Sequence, residues 1–220
     1  IFPDGLAGSV VAKAGGIGGV DGTMIKSVSA TRGKIKDVVT KQSATTGGDI
    51  GGKYYPGGYG QIRAFGADRK GVSIKKVSAA GGDLSNLWMR GVGSIGGAAA
   101  KGGKDEFRMP VGGGMHSVLV RAGVNPSNDV MQAAGDVGKV QVSASIYGSS
   151  IIGAADPGTG TFEGIIIDPT EQYVGSVKKI KHGKGGGVAN SLIVSKEAIS
   201  GIEKVNVEPD TVVIIDGVVQ

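Results

Sequence analysis

The sequence predicts an all-β fold, a parallel β-helix or β-solenoid of short strands with glycine corners and inserted loops. Three observations carry this. Of the 220 residues 43 are glycine, against an ordinary share of about 7%. Aromatic residues make up only 5% of the chain while 40% is apolar, so the interior must be filled by Val, Ile, Leu and Ala, which suits a narrow core. The apolar residues alternate in short runs that stop at glycine, and no stretch sustains helical spacing. A glycine inside a helix costs about 1 kcal/mol relative to alanine, which excludes a helix bundle. The absence of a strict three-residue glycine period excludes collagen. Clustered β-branched residues argue against disorder.

Two words recur along the chain. The first is an aliphatic, usually a Lys or Arg, any residue, then an apolar one. It occurs at Ile25-Lys26-Ser27-Val28, Ile35-Lys36-Asp37-Val38, Ile62-Arg63-Ala64-Phe65, Ile74-Lys75-Lys76-Val77, Val177-Lys178-Lys179-Ile180 and Ile202-Glu203-Lys204-Val205, with a looser copy at Val137-Gly138-Lys139-Val140. The second is glycine, a small or acidic residue, then an aliphatic: Gly48-Asp49-Ile50-Gly51, Gly82-Asp83-Leu84-Ser85, Gly93-Ser94-Ile95-Gly96 and Gly135-Asp136-Val137-Gly138. Successive onsets of the first word fall at multiples of roughly 10 to 13 residues with insertions. A chain that turns through two or three short strands per rung explains this: each strand stacks on its copy, glycine supplies the bends, and outward positions are left to Lys, Ser or Asp. The stretches 51–60, 102–114, 125–129, 156–161 and 183–187 read as loops thrown out between strands. Residues 1–207 read as the repeat body. The more apolar segment 208–220 reads as a C-terminal strand or cap over a bare sheet edge. A β-sandwich or jelly roll is the alternative, since it too places turns every 8–12 residues.

The alternation Ile74-Lys75-Lys76-Val77, Gly82-Asp83-Leu84, Gly93-Ser94-Ile95-Gly96-Gly97, and again Gly135 to Val140 followed by Tyr147-Gly148-Ser149-Ser150-Ile151, resembles the glycine-rich β-solenoid repeats of large bacterial cell-surface proteins of the surface-layer, adhesin or extracellular-filament type. The likeness extends over most of Ile25 to Val207, and Arg121 to Asp129 is similar to a loop such repeats carry. It implies a non-enzymatic structural protein of the cell exterior that associates with itself. The resemblance implies that acidic loops of such repeats can hold calcium; here only Asp129 precedes Asp136, so no cofactor is expected and calcium is the one alternative left open.

The chemistry the residues offer is sparse. No cysteine is present, so disulfides, thiolate nucleophiles and Cys-ligated metals are excluded. Gly91 to Gly96 matches the G-x-G-x-x-G spacing of a dinucleotide turn, yet Gly97-Ala98-Ala99-Ala100-Lys101-Gly102 offers no helix to follow it. Ser73-Ile74-Lys75-Lys76 and Ser176-Val177-Lys178-Lys179 match S-x-x-K, and their recurrence at one place in the word points to strand spacing rather than catalysis. His116 and His182, the only two histidines, read as solvated loop residues. Asp49, Asp83 and Asp136 share one context. They read as corner residues accepting from their own following backbone, or, in a β-helical polysaccharide lyase or hydrolase, as stacked acid/base carboxylates. Tyr54, Tyr55 and Tyr59 crowd one loop and Trp88 lies near a turn; these four are the candidate contacts for a glycan or a partner protein, the basis of a third reading as a glycan-binding module.

The net charge of +5 and the cluster Lys178, Lys179, Lys181, Lys184 read first as a solvated face and, as the alternative, as a contact for anionic envelope glycans, with nucleic acid not expected. No apolar run is long enough to span a membrane as a helix. The opening Ile1-Phe2-Pro3-Asp4 reads as a processed chain or an excised piece. It is the resemblance to cell-surface repeats that implies a place at the cell surface or outside the cell.

Overall fold

The computed structural model describes residues 7–12, 20–22, 25–31, 50–51, 60–104, 108–128, 130–154, 175–216 and 218–220. These are almost entirely strand and turn, and they form two parallel sheets that the chain visits in alternation. β1 (Ala7–Ala12) lies in sheet A, β2 (Val20–Gly22) in sheet B and β3 (Ile25–Thr31) in A; β4 (Ile50–Gly51) and β5 (Gly60–Ala64) lie in B. β6 (Val72–Ile74) and β7 (Val77–Ala80) return to A, β8 (Leu84–Gly91) goes to B and β9 (Ser94–Lys101) to A. β10 (Gly103–Lys104) and β11 (Pro110–Val111) pair antiparallel outside both sheets.

The alternation then resumes. β12 (Met115–Ala122) lies in B, β13 (Val137–Val142) in A, β14 (Ile146–Tyr147) and β15 (Ser150–Ile152) in B, β16 (Val177–Lys181) in A, and β17 (Val188–Ala189) and β18 (Leu192–Ser195) in B. β19 (Val212–Ile215) extends sheet B in parallel on β18, and β20 (Val218–Val219) turns back antiparallel on β19.

Register sets like on like. In sheet B one column runs Ile62, Met89, Val120, Ile151, Ile193 and Val213, each paired with the next. In sheet A, Ile74 pairs with Ile95, Ile95 with Val137 and Val137 with Val177. All these side chains are buried, and they form one continuous cluster between the sheets. Sheet A fills its share with small residues, Ala79, Ala98 and Ala100, where sheet B supplies Leu87, Met89 and Met115. No described aromatic residue enters this cluster, in which one sheet supplies small residues and the other larger ones.

The first word has a structural cause. Its two apolar ends, three residues apart, both point inward in sheet A, as in Ile74 and Val77 or Val177 and Ile180. The strand bends between them and turns both middle residues outward. At Lys75-Lys76 the bend separates β6 from β7 altogether.

Glycine fits this bend for steric reasons. A Cβ on Gly96 would lie 2.5 Å from the Lys75 carbonyl oxygen, and one on Gly138 would collide with the Gly96 carbonyl.

Three expectations change. Ile202-Glu203-Lys204-Val205 is not a strand but a 3₁₀ turn, entered through Gly201 in the left-handed region at φ 83 and closed by Val205 N–H donating to Ile202 O; a left-handed residue at its start redirects the chain before the word can extend. The stretch 102–114, read as a loop, contains the β10–β11 pair. Outward positions are not all solvated either: on sheet B, Arg90, Arg121, Ile152, Val194 and Ile214 are buried, the last three in a second apolar cluster.

Three substitutions test this packing. Ile151→Ala should lower the unfolding free energy in denaturant titration by about 2–5 kcal/mol. Gly138→Ala, which forces β13 away from β9, should cost about 1–3 kcal/mol, and Gly96→Ala should cost a similar amount through a different approach, that of β9 to the Lys75 carbonyl.

Candidate functional site

The corners where the chain crosses between sheets carry the sequence-predicted polar residues. There, side chains are spent on capturing backbone amides of the neighbouring strand. Ser73 Oγ accepts from Gly93 N–H at 2.8 Å, Ser94 Oγ from Asp136 N–H at 3.0 Å, and Asp136 Oδ1 from Ser176 N–H at 2.8 Å. Asp83 Oδ1 accepts from Gly114 N–H at 2.8 Å. A column of opposite sense runs through Ser149 and Ser191, whose hydroxyls accept from Val118 and Ser149 N–H. Asp83 and Asp136 are thus corner residues as expected, but their amide partners lie 31 and 40 residues away rather than in their own following backbone. They also sit in different sheets, so they do not stack as a carboxylate row. Asp49 lies outside the described residues.

The glycine motif at Gly91 to Gly96 is the corner between β8 and β9. Its amides are already engaged: Val92 N–H donates to Ala64 O, Gly93 N–H to Ser73 Oγ and Ser94 N–H to Gly71 O. None of these three is available to cradle a pyrophosphate. In Ser73-Ile74-Lys75-Lys76 the serine is buried and the lysines exposed, so the hydroxyl has no ammonium beside it. Ser176 is buried likewise.

Neither histidine is a solvated loop residue. His116 lies on β12, exposed. His182 is half-buried after β16, with Nδ1 2.6 Å from Gly183 O and Nε2 accepting from Asn206 N–H at 3.1 Å. The carbonyl contact places the proton on Nδ1, so the ring ties the end of β16 to the segment after the 3₁₀ turn. Among the described residues no group of three or more His, Cys, Asp or Glu is placed to hold a metal ion, and Asp129 is outside them.

Tyr54, Tyr55 and Tyr59 lie outside the described residues. Trp88 is mid-strand on β8 rather than at a turn, half-buried, with the Arg90 guanidinium 4.5 Å from its ring centroid. Arg90 pairs in register with Arg63 on one side and Arg121 on the other, and its Nη2 donates to Gln61 Oε1 at 3.3 Å. The triplets Ile62-Arg63-Ala64, Met89-Arg90-Gly91 and Val120-Arg121-Ala122 are the sequence signal for this column, an aliphatic, an arginine and a small residue at register positions.

Carboxylates and a cation converge at one described place. Lys178 Nζ lies 3.2 Å from Asp136 Oδ2 and 3.1 Å from Glu197 Oε2. This is the residue set of a lyase base among carboxylates, but the hydrogen bond to Glu197 and the Asp136 charge raise the Lys178 pKa above its ordinary value. A base for proton abstraction needs the opposite shift. The cluster is also open to solvent, with side chains 47%, 42% and 66% exposed for Lys178, Asp136 and Glu197. What it does chemically is pin β16 to the start of β13 and to the chain after β18.

No model of a known protein family, no curated protein and no solved structure matches the chain. Among the described residues no helix is long and apolar enough to cross a membrane.

The ionisable corners define two pH responses. Lys178 has a raised folded pKa, so its small contribution is complete below about pH 10 and is lost as pH rises through the folded value. Glu197→Gln should move its titration, followed by side-chain NMR, back down toward the ordinary lysine range. Asp68 accepts from Val72 N–H at 2.9 Å and Lys70 N–H at 2.8 Å, which lower its pKa. That turn should hold as pH falls past the usual aspartate range and open only below it, read from the Val72 and Lys70 amide shifts.

Proposed function

We propose that the chain is a β-solenoid module of a non-enzymatic structural protein of the bacterial cell exterior, associating with itself into a surface layer, adhesin stalk or filament. The observation that carries the reading is the alternation of strands between two in-register parallel sheets, with one aliphatic column passing through six successive strands of sheet B. An antiparallel sandwich or jelly roll would pair its strands the other way; among the described residues of the two main sheets, β19 with β20 is the one pair that does so. In this reading each circuit of the chain adds one rung. The segment 208–220 is the cap, since β20 turns back on β19 and ends the parallel addition. Exposed Val218 and Val219 on that strand supply an apolar edge for a further copy.

The solvent-open Lys178 cluster supports a structural rather than a hydrolytic role. The lyase reading requires a lowered lysine pKa and a closed groove, and the glycan-binding reading requires the tyrosine loop.

Electron microscopy of the purified chain across concentrations tests the proposal. Ordered sheets or filaments with strands stacked along one axis are expected. A strictly monomeric protein that cleaves a polymer would overturn it.

A further inference from the structure

The bends of sheet A stack into one ridge. Its middle pairs are Lys75-Lys76 between β6 and β7, the exposed Gly96 and buried Gly97 in β9, Gly138-Lys139 in β13 and Lys178-Lys179 in β16. Register places Lys139 opposite Gly97 on one side and Lys179 on the other. Gly96 lies against the Lys75 carbonyl, and Gly138 against that of Gly96. The ridge therefore has a floor with no side chain at the exposed Gly96 and the half-buried Gly138, bounded by Lys75 and Lys76 on one side and by Lys139, Lys178 and Lys179 on the other. Lys75, Lys76 and Lys139 are exposed and Lys179 half-exposed. Beyond the bend the outward column continues as Ser78, Ala99, Gln141 and Lys181, small and flat until its last member.

Charge on this ridge is not balanced within the described residues. Lys178 has Asp136 and Glu197, and Lys75 lies near enough to Asp68 to lower its pKa. Lys76, Lys139 and Lys179 form no salt bridge with a described carboxylate. Lys139 and Lys179 stand directly opposite on strands about 4.8 Å apart, an arrangement that destabilises a sheet unless something anionic lies over it.

We propose that this lysine-rimmed glycine floor is a docking surface for a linear, carboxylate-bearing polysaccharide. The described strands of sheet A contain no arginine and no aromatic residue. Single-stranded nucleic acid is held by aromatic platforms on which bases stack, and duplex DNA by an element that enters a groove; the ridge offers neither. A row of compact ammonium groups over a side-chain-free floor suits a flexible polyanion bound through its charge. The proposal stands whether or not the chain assembles with itself.

Calorimetric titration of the 220-residue chain with polygalacturonate, neutral dextran and single-stranded DNA tests it, using K76Q/K139Q/K179Q against the charge-matched K104Q/R108Q/K204Q, none of whose positions lies on a strand of sheet A. Polygalacturonate should bind with an affinity that falls as salt rises, and dextran should not bind. The ridge variant should lose about tenfold or more and show a shallower salt dependence, while the control stays within about twofold. Thermal melting should place the ridge variant at or above the unsubstituted chain, because the Lys139–Lys179 repulsion is gone. If the triple variant fails to fold, Lys139→Gln alone should still weaken binding. Absence of polygalacturonate binding, equal loss in both triple variants, or tighter ridge-dependent binding of DNA would overturn the proposal.

Discussion

The fold depends on the in-register parallel stacking of a strand on its own kind. A strand of this length buries too little by itself. Placed with Met89 against Ile62 and Val120, or Ile95 against Ile74 and Val137, it contributes one layer to a core that no single segment could close. The corners follow from that stacking, because wherever the backbone leaves one sheet its amides need acceptors. The neighbouring strand supplies them through Ser73, Ser94, Asp83 and Asp136. The glycines follow too, since at Gly96 and Gly138 adjacent backbones approach more closely than a Cβ permits.

This order of causes explains which parts of the structure were legible in the sequence. Words such as Ile74-Lys75-Lys76-Val77 could be read as strands because both apolar ends face the same core, a local pattern. Ile202-Glu203-Lys204-Val205 has the same letters and became a turn, because the left-handed Gly201 before it is a backbone property that the word does not contain. The corner role of Asp83 and Asp136 was readable from composition. The identity of their partners, more than thirty residues distant along the chain, was not.

The surfaces were less legible than the core. Outward positions on a strand are expected to be wet, and on sheet A they are, with exposed lysines along the bend. On sheet B the column that begins with Arg63, Arg90 and Arg121 continues as Ile152, Val194 and Ile214 and is buried from Arg90 onward. A period-two pattern identifies two faces without saying whether the second is covered. Trp88 illustrates the point: its position near a turn left open an exposed contact or a ring folded back over the coil, and it is mid-strand, half-buried, with its ring against Arg90.

The amide-capturing side chains run in two opposed directions. Ser94 and Asp136 accept from the strand that follows in the chain, whereas Ser149 and Ser191 accept from the strand that precedes. Between these fixed contacts the connecting segments differ widely in length without altering the register on either side. The corners therefore work as anchor points that leave the intervening chain free to vary, and Gly185, at φ 77 with open space around its Cα, marks a position where foreign sequence can be grafted onto the body without disturbing its tiers.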